Sequence, residues 1–182
     1  MLAVDRTDFV PDEYKKLAYK DTPVPIEKGQ TTSAPSMIGF ALMYLDVKEG
    51  MTVLEVGTGS GYQTALLSKL VGETGKVISI EIITELVELA KARLAKYKSK
   101  NVTLVKGSGS TGLKSKAPYD RIIFSAAAKK MPQEVLNQLS DNGKLVIPII
   151  EKDVQVLYLF IKNGDKVVSM DLGYVAFVHL VD

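Results

Sequence analysis

The chain contains no cysteine, which excludes disulfides, thiolate nucleophiles and cysteine-based metal sites. It has one histidine, His179, so no histidine metal cluster can be assembled. An excess of charge of one sign is also missing. The 23 Lys and Arg against 21 Asp and Glu leave a formal net charge of +2, and no basic run interleaved with aromatics suggests nucleic acid. No apolar stretch reaches the length of a membrane span. The N-terminus carries Asp5, Arg6, Asp8, Asp12 and Glu13 in place of the basic-then-apolar pattern of a secretory leader. These absences predict a cytoplasmic protein with neither a membrane nor a nucleic-acid partner.

What is present is enough for one folded unit. A chain of 182 residues, 46% of them hydrophobic, buries a sizeable core as a single domain over residues 1–182. Residues 1–33 show little periodicity and contain Pro11, Pro23 and Pro25, which predicts a segment wrapped over that domain. Ser33-Ala34-Pro35 then reads as a helix start, with Ser33 as cap and proline in the first turn. This helix is expected to end near Leu45 and, being apolar nearly all round, to be covered on more than one side.

The stretch 52–61, Thr-Val-Leu-Glu-Val-Gly-Thr-Gly-Ser-Gly, joins a short strand to a glycine-rich loop. A helix is expected from Tyr62 to about Val71, a strand over 76–81, and a helix capped by Thr84 to about Tyr97. Strands follow over 102–105, 119–125 and 143–148, with a helix over 132–139 between the last two. Asn142-Gly143 reads as a turn, and residues 154–161 and 166–178 as a hairpin around Asn163-Gly164. The pattern predicts an α/β fold, a mostly parallel doubly wound sheet ending in an antiparallel β pair.

Strand, glycine loop and helix N-terminus form a nucleotide-binding entrance. Glu81 lies 20 residues beyond Gly61, at a strand tip where a carboxylate can accept from both hydroxyls of a ribose. A dinucleotide site usually shows G-x-G-x-x-G, whereas Gly57, Gly59 and Gly61 are spaced G-x-G-x-G and preceded by the acidic Glu55. A sulfonium donor has no pyrophosphate to seat and carries an ammonium group that suits a nearby acid. S-adenosylmethionine is therefore favoured over a dinucleotide.

The sequence resembles the protein-L-isoaspartate O-methyltransferases over almost its whole length. The residues that carry the resemblance are Asp5-Arg6 with Phe9-Val10-Pro11, Ala18-Tyr19, Asp21, the segment 29–35 (Gly-Gln-Thr-Thr-Ser-Ala-Pro), Val53 to Tyr62, Ile80-Glu81, Gly107-x-Gly109, Ala117-Pro118-Tyr119-Asp120, Ala126-Ala127-Ala128, Gln138-Leu139 and Ile147-Pro148. The resemblance implies a Rossmann-like class I methyltransferase fold and, for residues 1–33, a substrate-covering role without the N-terminal helix of the family. It implies a cytoplasmic, monomeric repair enzyme. Such an enzyme methylates the α-carboxylate of L-isoaspartyl residues in damaged peptides and proteins, converting S-adenosyl-L-methionine to S-adenosyl-L-homocysteine. The ester then closes to a succinimide that reopens partly to aspartate.

By motif position, the resemblance makes Ser33 the active-site serine and Thr32 its neighbour near the cofactor. Glu55, Gly57, Thr58, Gly59, Ser60 and Gly61 take the methionine end, Glu81 with Ile82 the ribose, and Ser108 with Gly109 the adenine side. Peptide contacts fall to Ala34, Pro35, Ser36 and Val178. Three positions depart from the family pattern: Ser108 where aspartate is usual, Ser36 where histidine is common, and His179 where proline is usual. The Ser108 change predicts weakened donor affinity. It leaves open a same-fold methyltransferase acting on tRNA or a small molecule, or a catalytically weak binding module. Base-amine methylation would call for an Asn/Asp-Pro-Pro-aromatic motif, where this chain has Ser125-Ala126-Ala127-Ala128. His179, with apolar flanks and no nearby acid, reads as a surface or edge residue.

Overall fold

The computed structural model describes residues 3–181. Its elements are β1 Val24–Pro25, β2 Thr31–Thr32, α1 Pro35–Leu45, β3 Thr52–Val56, α2 Tyr62–Val71, β4 Lys76–Glu81, α3 Thr84–Lys96, β5 Val102–Lys106, β6 Tyr119–Phe124, α4 Gln133–Leu136, β7 Leu139–Glu151, β8 Val154–Asn163 and β9 Lys166–Val175. The main sheet has seven strands in the order β5-β4-β3-β6-β7-β8-β9. The first five are parallel, while β8 runs antiparallel to both its neighbours. The expected Rossmann-like sheet with its antiparallel end is therefore present.

Strand β3 is buried on both faces, which explains why Val53, Leu54 and Val56 are apolar on either side of it. Val53 packs with Leu67 and Val71 of α2 and Ala41 and Leu45 of α1. Leu54 and Val56 face the opposite layer with Val135 and Leu136 of α4. That second layer is thin, because the helix expected over 132–139 is a single turn. Asn137 and Gln138 turn the chain, and Leu139 already begins β7. Asn142-Gly143 accordingly lies inside β7, where Asn142 takes a φ of +59°, and does not form a separate turn. The Asn163-Gly164 hairpin is as expected, with Gly164 at φ +58°.

Two helix starts differ from the sequence reading. The cap of α1 is Ala34, with no side-chain bond, and Ser33 precedes it. Helix α3 is entered through Ile83, not Thr84, and has no side-chain cap bond; the Ile83 N–H is satisfied by the Glu81 carboxylate at 3.0 Å. Helix α1 lies over β6 and β7 with Ile38, Ala41 and Leu45 buried. Its far side is less covered than expected, leaving Met43 64% exposed.

The N-terminal segment does wrap the domain. Phe9 is fully buried, with its ring 5.6 Å from Tyr62 and 5.3 Å from Tyr97. Asp8 meets Lys96 of α3 and Tyr97 just after it. The β1–β2 hairpin is tied to α3 by Glu27–Arg93 at 2.7 Å and Lys28–Glu85 at 2.5 Å. These anchors hold residues 30–33 against the C-terminal ends of the central strands.

Candidate active site

The strand order reverses between β3 and β6, with β4 and β5 to one side and β7 to the other. Open α/β sheets bind ligands outside the carboxyl ends of the strands at such a point. A cleft lies there, walled by Val56 and Gly57 after β3, Ile80 and Glu81 of β4, Gly107 after β5, and Ser125 after β6. The N-terminal hairpin supplies Gln30, Thr31, Thr32 and Ser33, and the C-terminal segment supplies Val178, His179 and Leu180.

The glycine loop has the backbone that its sequence requires. Gly57, Gly59 and Gly61 take φ of +92°, +53° and +87°, values that side-chain-bearing residues rarely adopt. At Gly61 a Cβ would also sit 3.2 Å from Ala90 Cβ, where α3 packs on the loop. Gly109 is required for a different reason, since a Cβ there would stand 2.1 Å from Val56 Cγ1.

Glu81 is 7% exposed. Its Oε2 accepts the Gly59 N–H at 2.9 Å and its Oε1 the Ile83 N–H at 3.0 Å. A carboxylate has about four acceptor sites, so both oxygens keep lone pairs for hydroxyl donors from the cleft. Glu55 is one layer deeper and is fully buried. Its carboxylate accepts from Thr64 Oγ1 at 2.5 Å, Ser79 Oγ at 2.7 Å and Gln63 Nε2 at 3.0 Å. Burial pushes its pKa up to about 7 against the lowering effect of these three donors. It is not on the cleft wall. Gln63, which is, also donates to Ser125 Oγ at 2.9 Å and so connects Glu55 to the cleft.

Of the site residues expected from the sequence, Thr32, Ser33, Gly57, Thr58, Gly59, Ser60, Glu81, Ile82, Gly109 and Val178 share this wall. Glu55, Gly61, Ser108, Ala34, Pro35 and Ser36 stand off it. Gly61 ends the loop as the cap of α2. Ser108 accepts the Ser110 N–H at 3.2 Å, with its hydroxyl 2.9 Å from Ser110 Oγ. Ala34 caps α1, whose first residue is Pro35, and the Ser36 N–H donates to Asp21 at 3.0 Å.

Sequence reasoning assigned no site role to Gln63, Ser125, Arg6 or His179. Gln63 and Ser125 follow the glycine loop and the fourth parallel strand, positions that the topology aims at the cleft. Arg6 is fully buried. Its Nη2 donates to the Ser33 carbonyl at 2.8 Å, its guanidinium lies 5.0 Å from the Tyr62 ring centroid, and Nε and Nη1 have no hydrogen-bond partner among the described residues. Burial lowers its pKa, against the raising effect of Tyr62 and Tyr19. The Ser33 hydroxyl, by contrast, has no hydrogen-bond partner among the described residues.

The donor set fits a sulfonium nucleoside. Glu81 offers acceptors for a ribose, Ile80, Ile82, Ile83 and Leu86 offer apolar walls for a flat base, and no lysine or arginine lines the cleft to seat a pyrophosphate. Among the described residues no group of acids and histidines could hold a metal ion, and no helix is long and apolar enough to cross a membrane.

Comparison with known proteins agrees with this geometry. The family model for protein-L-isoaspartate(D-aspartate) O-methyltransferase matches residues 1–182. A protein-L-isoaspartate O-methyltransferase of Fervidobacterium nodosum is 47% identical over 178 residues, covering 98% of this chain and 89% of its own. That of Ignicoccus hospitalis is 47% identical over 183 residues, covering 100% and 87%. Among solved structures, a Plasmodium falciparum chain described as a protein-L-isoaspartate O-methyltransferase in complex with S-adenosyl-L-homocysteine superposes with a TM-score of 0.89 at 29% identity, covering 99% and 87%. A precorrin-6y C5,15-methyltransferase of Geobacter metallireducens, at TM-score 0.60 and 18% identity over 84% and 91%, shares the fold. With a cleft built for a sulfonium nucleoside and a family match along its entire length, the chain belongs to the protein-L-isoaspartate(D-aspartate) O-methyltransferase family.

Proposed function

We propose that this protein transfers a methyl group from S-adenosyl-L-methionine to the α-carboxylate of L-isoaspartyl residues in damaged proteins. The observation that carries the reading is the convergence of Thr32 and Ser33 with Glu81 and the glycine loop on one cleft, within a chain of this family. When bound, S-adenosylmethionine supplies an electrophilic methyl group. Glu81 would hold its ribose, the loop 57–61 its methionine end, and Gly109 beside Ser108 its base, while Ala34, Pro35, Ser36 and Val178 would contact the peptide.

The residues present suit a carboxylate acceptor. A carboxyl group with a reference pKa near 4 is ionised at neutral pH, so no residue has to remove a proton from it. What remains is positioning and exclusion of water. Ser33 can donate its hydroxyl to the acceptor carboxylate, and Arg6 holds the Ser33 backbone in place from behind. A tRNA substrate would call for cations along the approach, and the cleft wall has no lysine or arginine. On this reading the protein acts as a monomer, with residues 1–33 as the substrate cover of a single domain.

Incubation with labelled donor and paired isoaspartyl and aspartyl peptides tests this reading. Label should enter the isoaspartyl peptide alone, and equal labelling of both, or none, would refute it. Ser33→Ala should lower turnover more than donor affinity.

A further inference from the structure

Among the described residues the cleft wall has two ionisable side chains, Glu81 and His179. An acceptor that enters as a carboxylate brings a negative charge into a cleft whose fixed charge is also negative. Among the described wall residues only His179 can carry a positive charge. The guanidinium of Arg6 is fully buried behind Ser33 and does not reach the wall.

The backbone around His179 is held on both sides. The Ala127 N–H donates to the Val178 carbonyl and the Leu180 N–H to the Ala127 carbonyl, both at 2.8 Å, so Ala127 faces His179 in a parallel bridge. The Gln155 amide clamps Phe177, donating to its carbonyl at 2.9 Å and accepting its N–H at 2.6 Å. Side-chain partners for the imidazole are absent among the described residues. A side chain presented by a pinned backbone, with its own donor uncommitted, is suited to recognition. Imidazole keeps at least one N–H donor in both protonation states.

We propose that His179 recognises the acceptor, donating an N–H to the isoaspartyl carboxylate oxygen that is not methylated. This rests on the methyltransferase reading above. The carboxylate loses its charge as the ester forms, so a bond to that charge is stronger before the reaction than in its transition state. His179 is thus a specificity residue that lowers KM without raising kcat.

The test pairs His179→Ala with His179→Gln, which retains an N–H donor. His179→Ala should raise KM for an isoaspartyl peptide about tenfold, with kcat unchanged or higher and S-adenosylmethionine affinity unchanged, and His179→Gln should recover most of the loss. An unaltered KM in His179→Ala, or a joint fall of kcat and donor affinity, would overturn the proposal. Because the chain has a single histidine, its imidazole NMR signals are unique. In protein loaded with S-adenosylhomocysteine they should move on adding the isoaspartyl peptide and not the aspartyl one. Signals that stay in place count against His179, whereas wild-type protein that labels neither peptide counts against the methyltransferase reading.

Discussion

Glu55 should make the donor-free protein less stable as pH rises through the neutral range. Its carboxyl is fully buried and its pKa is pushed from the ordinary 4.5 up to about 7, by desolvation first, with a smaller contribution from nearby Glu81. The folded state therefore holds this proton more tightly than the unfolded chain. Below pH 4.5 both states are protonated and Glu55 contributes no pH dependence. Between 4.5 and about 7 the folded state binds more protons, so stability falls as pH rises, and above 7 the whole cost remains. That interval corresponds to about 3 kcal/mol. The lowered carboxyls of Asp5, Asp8, Asp12, Asp21, Asp46 and Glu85 act at the acid side of this window.

Glu55→Gln isolates the effect. An amide oxygen at the Oε1 position still accepts from Gln63, and the amide NH₂ at the Oε2 position donates to Thr64 and Ser79, whose hydroxyls can rotate to accept. Thermal unfolding of both proteins from pH 5 to 8.5 should show Glu55→Gln gaining relative to wild type as pH rises. At pH 8 the gain should reach up to about 3 kcal/mol, or roughly 6–12 °C in Tm for a domain of this size. Parallel curves for the two proteins would mean that Glu55 is ionised in the folded state at little cost, and the reasoning would fail.

Glu81→Ala should weaken S-adenosylmethionine binding by roughly 1–3 kcal/mol through loss of charged hydrogen bonds, and unchanged affinity in calorimetry would place the ribose elsewhere. It should also lower stability by about 1 kcal/mol, since the Gly59 and Ile83 N–H groups lose the carboxylate that accepts them. Ser108→Asp should tighten the donor about fivefold, or ~1 kcal/mol, by offering a charged acceptor on the adenine side, as read from the dissociation constant. Arg6→Met removes a buried cation with two unpartnered N–H positions together with its bond to the Ser33 carbonyl. Melting should change little, while turnover falls roughly tenfold or more as Ser33 loosens. Severe destabilisation with normal turnover would contradict this.

Much of this protein is determined locally and is legible in its sequence. Val53, Leu54 and Val56 form a doubly buried strand because their burial requires no partner other than a sheet between two layers. The glycines at 57, 59 and 61 encode backbone angles that other residues resist, and the position of Glu81 at a strand tip follows from strand length alone. That most of the loop lines the cleft could therefore be read in advance. Caps and short helices were less legible, because distant groups decide them: α3 is entered through Ile83, whose N–H the Glu81 side chain accepts, and pairing of Leu139 with Tyr119 of β6 starts β7 ahead of Asn142-Gly143. Glu55 is acidic by sequence, but only packing beneath α2 against Thr64 and Ser79 turns it into a buried group titrating near neutrality. Arg6 and His179 lie far apart in the chain, and neither carries a local signal. Tertiary structure alone buries the first behind Ser33 and brings the second, through the bridge to Ala127, onto the cleft wall.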